Sequence, residues 1–298
     1  MNYCISFVLL LSVVTACTKD LGRDLPFNGP DLVLYGVLSP DSVVTLQVRQ
    51  TYPPTGRYVY EKGVQTALVY LYEDSVRIEQ LRHQQEGQYG SARNTKPQVG
   101  KSYYYVVSSP GYPDAYSLPE RIPGPVKISD VVFDEAISAP LNSGVPARKL
   151  VCTFTDPATP NDYYSIDIAG YSDEKEVAVN SVGLDRPDEF EDGCGFRSNG
   201  QSNGYNLSDI CFNGQTTTVR VGVELEGPTR PTGIRGKVTK ILLRLHRTNR
   251  GYFEYNRTFN IGEGLLQAFQ APQVRYSNVR GGYGIILAYN SDTVTIIP

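Results

Sequence analysis

Hydrophobic and polar residues alternate along much of the chain from residue 31 onward, a pattern typical of β-strands with one buried face. In the first part, this alternation predicts strands at residues 32–35, 43–48, 64–72 and 103–109. Turn-forming residues separate them, as at residues 87–90. Strands that recur with turn signals between them favour a small β-sandwich.

The same alternation returns in the second part of the chain. It predicts strands at residues 126–133, 149–154, 163–168, 216–225, 238–246, 285–289 and 294–297. Residues 118–125 contain three prolines, which cannot donate ladder hydrogen bonds. We therefore place a boundary there, with a β-sandwich domain over residues 31–124 and a second β-rich domain over residues 125–298.

Two segments of the second part depart from the strand pattern. Tyr252, Tyr255, Asn256 and Phe259 are spaced three and four apart, which predicts one short amphipathic helix. Residues 185–206 are first acidic and then rich in Gly, Ser and Asn, without periodicity, which predicts a long surface loop. The predicted fold class is therefore mainly β with one short helix.

The N-terminus has the order of a bacterial export signal with a lipid attachment site. Residues 5–14 form an apolar run too short for a membrane span, which needs about 20 residues, but suited to a signal peptide. Small residues precede Cys17, although Val14 stands where leucine is usual. We expect residues 1–16 to be removed, Cys17 to carry the lipid and residues 17–30 to form a tether. The alternative is a cleaved signal that releases a soluble protein.

Composition and charge narrow the function classes. The chain has 22 Tyr, no Trp, 28 Gly and 20 Pro, which fits a protein of strands and turns. Its formal net charge of -3 provides no excess of cations to neutralise phosphates, so no nucleic acid is expected as a partner.

Residues suited to catalysis are few. His83 and His246 are the two histidines, and the sequence has no H-E-x-x-H motif. Each histidine is expected to be a surface strand residue, and no catalytic residue and no cofactor are predicted. A glycosidase carboxylate pair is recognised by its spacing in the fold, so a surface hydrolase stays an alternative.

An acidic run at residues 185–192 could offer oxygen ligands to calcium. Phe190, however, stands where an EF-hand spacing needs Asp or Asn. A solvated loop is the better interpretation, and no metal site is predicted.

Aromatic residues in loops are the candidate ligand contacts. Tyr52, Tyr58, Tyr60 and Tyr112 lie in segments flanked by Pro and Gly, where their rings could stack on sugars or peptides. Tyrosine is also a common filler of β-sandwich cores, which is the alternative.

Three cysteines remain once Cys17 and the signal peptide are set aside. In an oxidising compartment we expect Cys194 and Cys211 to form a disulfide across the irregular loop. Cys152, in an alternating strand, is then a buried thiol. Pairing of Cys152 with either of the others stays open.

Several segments in order along the chain resemble a known family. They are Cys17 followed by residues 24–26 (DLP), then residues 32–40, 64–72, 100–107, 208–214 (SDICFNG) and 272–289, of which the last is the most specific. Nearly the whole chain thus resembles the Bacteroidetes outer-membrane lipoproteins grouped as domain-of-unknown-function family 4249.

The resemblance implies a location and a type of partner, but no catalytic residues. The first part would be an immunoglobulin-like or carboxypeptidase-regulatory-like β-sandwich, lipid-anchored at the outer membrane on its periplasmic or cell-surface face. Genes of this family often lie beside those of TonB-dependent outer-membrane transporters, which implies a non-catalytic binding or accessory subunit of such a barrel. A self-standing adhesin or structural surface lipoprotein is the alternative.

Three triplets match the acidic, hydroxyl, apolar pattern that Bacteroidetes use for O-glycosylation of exported proteins. They place possible modification sites at Ser42, Ser75 and Thr293.

Overall fold

The computed structural model describes residues 27, 29–53, 63–137, 147–172, 175–177, 179, 181–183, 194–197, 205–225, 237–259 and 275–298. Over these residues the chain is mainly β with one α-helix, so the predicted fold class is confirmed. The expected signal peptide and most of the expected tether lie outside the described residues.

The strands of the first part follow the chain closely. They are β1 (Leu32–Leu38), β2 (Thr45–Gln50), β3 (Leu68–Glu73), β4 (Val76–Gln85), β5 (Gln88–Gly90), β6 (Ser102–Ser108), β7 (Ala115–Ser117) and β8 (Glu120–Arg121).

The second part holds longer strands, a 3-10 turn and the helix. They are β9 (Ile128–Ile137), β10 (Ala147–Thr155), β11 (Tyr163–Ser172), β12 (Lys175–Val177), β13 (Ser181–Gly183), β14 (Gly195–Arg197), β15 (Tyr205–Ser208), the 3-10 turn Asp209–Cys211, β16 (Thr216–Glu224), β17 (Lys240–Thr248), α1 (Arg250–Phe259), β18 (Val279–Arg280) and β19 (Tyr283–Ile296).

Two sheets enclose the first core. Hydrogen bonds join the strands in the order β19-β1-β2-β5-β4-β3-β6-β7-β18, and the long strand β4 carries the chain from one sheet to the other. Alternate residues of each strand point inward, such as Leu34 and Val48 from one sheet and Val69 and Tyr105 from the other. All four are fully buried in a single cluster, as a sandwich requires.

A second pair of sheets encloses a separate core. One has the order β13-β16-β10-β9, and the other contains β14, β15, β11, β17 and β19. Phe154, Ile166 and Leu243 are among the residues buried between them. Tyr163 alternates with these inward residues, and its ring contacts Phe253 of helix α1 at 5.0 Å. The helix therefore covers the outer face of this sheet.

Strand β19 belongs to both cores. Its first half pairs in parallel with β1, and its second half pairs antiparallel with β17. Core residues change from the first cluster to the second between Ile122 and Val126, yet Ile286 and Ala288 from the C-terminal strand lie in the first cluster. The last strand thus completes the first sandwich, although the sequence assigned residues 125–298 to the second domain alone.

Two predictions about irregular segments are wrong in part. Residues 118–125 do hold ladder hydrogen bonds, because Glu120–Arg121 pairs with β6 while the prolines lie outside the paired positions. The surface loop expected over residues 185–206 contains β14 and the start of β15. Tyr205 pairs with Ile166 and its side chain is buried in the second core, a position that spacing along the chain does not reveal.

Candidate functional site

One cavity of about 400 Å³ opens beyond the ends of β2 and β6. Two of the four tyrosines predicted as ligand contacts, Tyr52 and Tyr112, lie in its wall. The other lining residues are Gln50, Gly63, Val64, Gln65 and Thr66. Tyr58 and Tyr60 lie outside the described residues. The structure thus brings together two residues that are sixty positions apart in the sequence.

A tight turn places Tyr112. The backbone N–H of Tyr112 donates to the carbonyl of Ser109 at 3.2 Å, and Gly111 between them has a φ of +85°. Pro110 and Gly111 thus occupy the two corners that favour these residues in a type II turn. The Tyr112 hydroxyl donates to Oε1 of Gln50, which fixes the ring against the end of β2.

Buried Tyr89 holds the opposite wall. Its hydroxyl donates to the carbonyl of Val64 and accepts from the backbone N–H of Ala67, both at 2.9 Å. The hydroxyls of Thr66 and Ser109 lie 3.1 Å apart and join the two walls. The shape of the cavity therefore depends on hydrogen bonds within the protein, which leaves little ordering for a ligand to impose.

The lining determines which ligands the cavity suits. Its described residues supply two aromatic rings, two side-chain amides and a hydroxyl, and no charged side chain. The volume lies in the range of about 300 to 1,000 Å³ common for small-ligand sites. Tyrosine offers an apolar ring face with a polar tip. A neutral polar ligand with some apolar surface, such as a sugar or a short peptide, fits this chemistry.

A second cavity, of about 250 Å³, lies between helix α1 and the sheet that the helix covers. No sequence signal indicated it, because its residues come from five separate elements. They are Ser165, Asp167, Asn206, His246, Tyr252, Asn256 and Tyr289. The strand residues alternate with the second core, and the pleat therefore turns their polar side chains toward the helix.

His246 has a polar partner in this second cavity. Its Nδ1 lies 2.7 Å from Oγ of Ser291, while the Asp167 carboxylate accepts from Arg244 Nη1 at 2.9 Å. Burial lowers the pKa of His246, which keeps the imidazole neutral at pH 7. A serine hydrolase needs a carboxylate that orients the imidazole, and here that carboxylate is held by Arg244 instead. His83 is exposed as predicted, whereas His246 is partly buried beneath the helix.

The comparison with protein families matches residues 18–295 to a family described as a domain of unknown function (DUF4249). The chain belongs to this family. The matched span includes both cores and both cavities. No curated protein matches the chain.

In this DUF4249 protein, Cys194 and Cys211 form the predicted disulfide. Their Cα atoms are 5.7 Å apart, within the usual range for a disulfide. Cys152 takes no part in it and is a buried thiol in β10. Burial, with a smaller contribution from Asp292, raises the pKa of this thiol to about 12, so it is unreactive at neutral pH.

The three predicted glycosylation residues, Ser42, Ser75 and Thr293, are all exposed. Two of the triplet aspartates also have structural roles. Asp74 accepts from the backbone N–H of Ser102 at 3.0 Å, and Asp292 accepts from that of Ile128 at 2.9 Å. Modification of the three hydroxyls stays a prediction.

Other predicted features fall outside what the structure describes. Cys17 and the acidic run at residues 185–192 are among them. Within the described part of the chain, no helix combines the length and the apolar character needed to cross a membrane.

Proposed function

We propose that this protein is a non-catalytic, lipid-anchored binding subunit of the bacterial cell envelope that assists a TonB-dependent outer-membrane barrel. Cys17 would carry the lipid, and the cavity with Tyr52 and Tyr112 would bind the ligand. The observation that carries the proposal is this cavity, because its walls are fixed by internal hydrogen bonds and present two aromatic rings. The family resemblance supplies the class of partner.

The position of the cavity relative to the tether supports an accessory role. The backbone N–H of Thr51 donates to the carbonyl of Asp31, and that of Asp31 donates to Thr51 Oγ1, both at 2.9 Å. Residue 31 is where the tether joins the body, and Thr51 directly precedes Tyr52. The cavity therefore lies beside the residue at which the tether joins the folded body. Residues 18–30, fully extended, reach roughly 40 Å, so this end of the body stays within reach of a neighbouring barrel.

Affinity purification from detergent-solubilised membranes tests the partner. The tagged full-length protein is expected to recover a large outer-membrane barrel protein in stoichiometric amount. Repeated recovery of the chain without a barrel would reject the accessory role and favour a self-standing adhesin or structural lipoprotein. Turnover of glycans or peptides that disappears on substitution of a carboxylate or of His246 would instead show a surface hydrolase.

Binding to glycan and peptide arrays tests the cavity separately. Tyr52→Ala removes a ring from the wall, and loss of one aromatic stacking contact of about 1.4 kcal/mol weakens binding roughly ten-fold. Tyr116→Ala is the matched control, because this ring is 48% exposed on the same domain and lies outside the cavity. Equal array signals from wild type and Tyr52→Ala would show that the ligand binds elsewhere.

A further inference from the structure

Three carboxylates meet at one end of the second domain. Asp156 and Asp162 lie in the connection between β10 and β11, and Asp209 opens the 3-10 turn after β15. One carboxylate oxygen from each lies within 4.8 Å of the others. Asp156 is 2% exposed and Asp209 is 3% exposed, so two of the three charges are almost completely removed from water.

Protein donors satisfy two of these carboxylates. Arg247 Nη2 lies 2.6 and 2.7 Å from the two oxygens of Asp162. Asp156 accepts from the hydroxyl of Tyr164 and from the backbone N–H of Gly214. With Arg247 counted, three carboxylates and one guanidinium leave a net charge of -2.

Asp209 is the carboxylate of the three whose oxygens do not all have hydrogen-bond partners. Its Oδ2 is buried and has no hydrogen-bond partner. Burial of an ionised carboxylate is strongly unfavourable unless a cation or hydrogen-bond donors compensate for it. The unpartnered oxygen therefore points to a cation as its partner, either a metal ion or a proton.

We propose that Asp156, Asp162 and Asp209 bind a calcium ion. Calcium prefers carboxylate and carbonyl oxygens at about 2.3–2.6 Å and tolerates irregular geometry, so it spans oxygens up to about 5 Å apart. Magnesium needs oxygens at about 2.0–2.1 Å in a near-ideal octahedron, which a site with a bidentate arginine at one ligand does not favour. The remaining charge of -2 matches a divalent ion. Each oxygen of Asp156 accepts one hydrogen bond and keeps a second lone pair for the metal. Each oxygen of Asp162 accepts two, from Arg247 and Thr159, so Asp162 would coordinate the ion in place of one of these donors.

The ion would join two parts of the chain that the sequence separates by about fifty residues. It would link the β10–β11 connection to the turn that ends at Cys211, the disulfide cysteine. Bound calcium and the disulfide would then hold the same turn from two sides. No spacing motif in the sequence indicates this site. The acidic run at residues 185–192, which was considered for calcium, contributes none of the three carboxylates.

Calcium binding to the full-length protein in detergent, after removal of divalent ions with EDTA, tests the proposal. Calcium is expected to raise the melting temperature, and titration calorimetry is expected to give about one ion per chain. Asp209→Asn should weaken calcium binding at least ten-fold. This variant removes a buried uncompensated charge, so it is expected to be folded in EDTA and no less stable than the wild type there.

Asp130→Asn is the matched control, because it removes one exposed carboxylate from β9 of the same domain. It should bind calcium like the wild type. Absence of calcium binding in the wild type would overturn the proposal and assign a proton to Asp209. Binding that Asp209→Asn leaves unchanged would also overturn it.

Terbium luminescence provides an independent measurement of the same site. Terbium(III) replaces calcium and is sensitised by a nearby tyrosine, and Tyr164 donates a hydrogen bond directly to Asp156. Terbium emission on excitation of tyrosine is therefore expected in the wild type and lost in Asp209→Asn. Emission that persists in Asp209→Asn would place the ion elsewhere and contradict the proposal.

Discussion

The Glu79 carboxylate lies beneath the loop that follows β5 and orders that loop by hydrogen bonds. Glu79 is 7% exposed. Its oxygens accept from the hydroxyls of Ser91 and Thr95, both at 2.7 Å, and from the backbone N–H groups of Ala92 and Arg93. Burial alone would raise the pKa of Glu79, but these hydrogen bonds outweigh it and the pKa is lowered. The loop conformation therefore depends on an ionised side chain.

Glu79→Gln is expected to destabilise the protein by about 2 kcal/mol, because an amide N–H₂ then faces donors that need an acceptor. Since the pKa is lower in the folded state, the stabilisation by ionised Glu79 is complete above the unfolded pKa of about 4.3. It is lost as the pH falls through the folded value. Urea unfolding of the two proteins at a series of pH values measures this difference, which should shrink in acid.

Glu86→Gln is the matched control, because Glu86 is exposed in the turn that follows β4. Its free energy of unfolding should stay within about 0.5 kcal/mol of the wild type. A Glu79→Gln protein as stable as this control would show that the loop does not depend on the carboxylate.

At the scale of single elements, the disulfide connects the 3-10 turn to β14. Cys194 and Cys211 close a loop with a sequence separation of 17. In the chain-entropy model, a loop of this length stabilises by about 3 kcal/mol, because the crosslink restricts the unfolded chain.

Replacement of both Cys194 and Cys211 by Ser should lower the free energy of unfolding by about 3 kcal/mol. Denaturant unfolding measures it, and peptide mapping without reductant should recover the two cysteines in one crosslinked peptide. Cys152→Ala is the control for the crosslink, since it leaves that peptide unchanged. A crosslinked peptide that contains Cys152 would contradict the pairing.

Most of the predicted strands are observed, but their faces and ends were less predictable. The long strand β4 was not predicted, and residues 87–90, expected as a turn, contain β5. The strand expected at residues 64–72 begins at Leu68, and its buried side chains are those of Val69 and Leu71. Tyr72 instead stacks on Tyr104 of the next strand, with ring centroids 4.7 Å apart. Both faces of this segment are hydrophobic, so periodicity alone does not reveal which one is inside. Packing against the facing sheet decides it, because Val69 and Leu71 share one core with Leu34 and Val48.

The helix shows the opposite case, in which local signals sufficed. The spacing of Tyr252, Tyr255 and Asn256 predicted it, and it is observed as Arg250–Phe259. Asn249 precedes it, and its Oδ1 accepts from the backbone N–H of Tyr252 at 3.0 Å, which is the role of an N-cap. The periodicity and the cap are both readable from adjacent residues, because helix contacts are local.

At the scale of the whole molecule, the first sandwich depends on the last residues of the chain. β1 is hydrogen-bonded on one side to β2 and on the other to β19, which begins about 250 residues later. Such a parallel pairing cannot be inferred from alternation, since alternation shows which residues are buried but not which strand lies next to which. For the same reason, the sequence did not indicate the second cavity, nor that Tyr52 and Tyr112 line one common cavity.

A fragment of residues 27–124 is expected not to fold, although the sequence assigned residues 31–124 to one domain. It lacks β18 and β19, and so exposes one edge of β1 and the surface that Ile286 and Ala288 cover. Circular dichroism and amide exchange measure the outcome. A fragment that unfolds cooperatively, with the stability of the full chain, would show that the last strand is dispensable.

The proposed function requires that the folded body be held on a membrane by the lipid at Cys17. Membrane fractionation of Cys17→Ala beside the wild type tests this most directly, because the change removes the thiol that would be acylated. The variant is expected in the soluble periplasmic fraction with its melting temperature unchanged, while the wild type stays with the outer membrane. A Cys17→Ala protein that remains membrane-bound after a high-salt wash would contradict the lipid anchor.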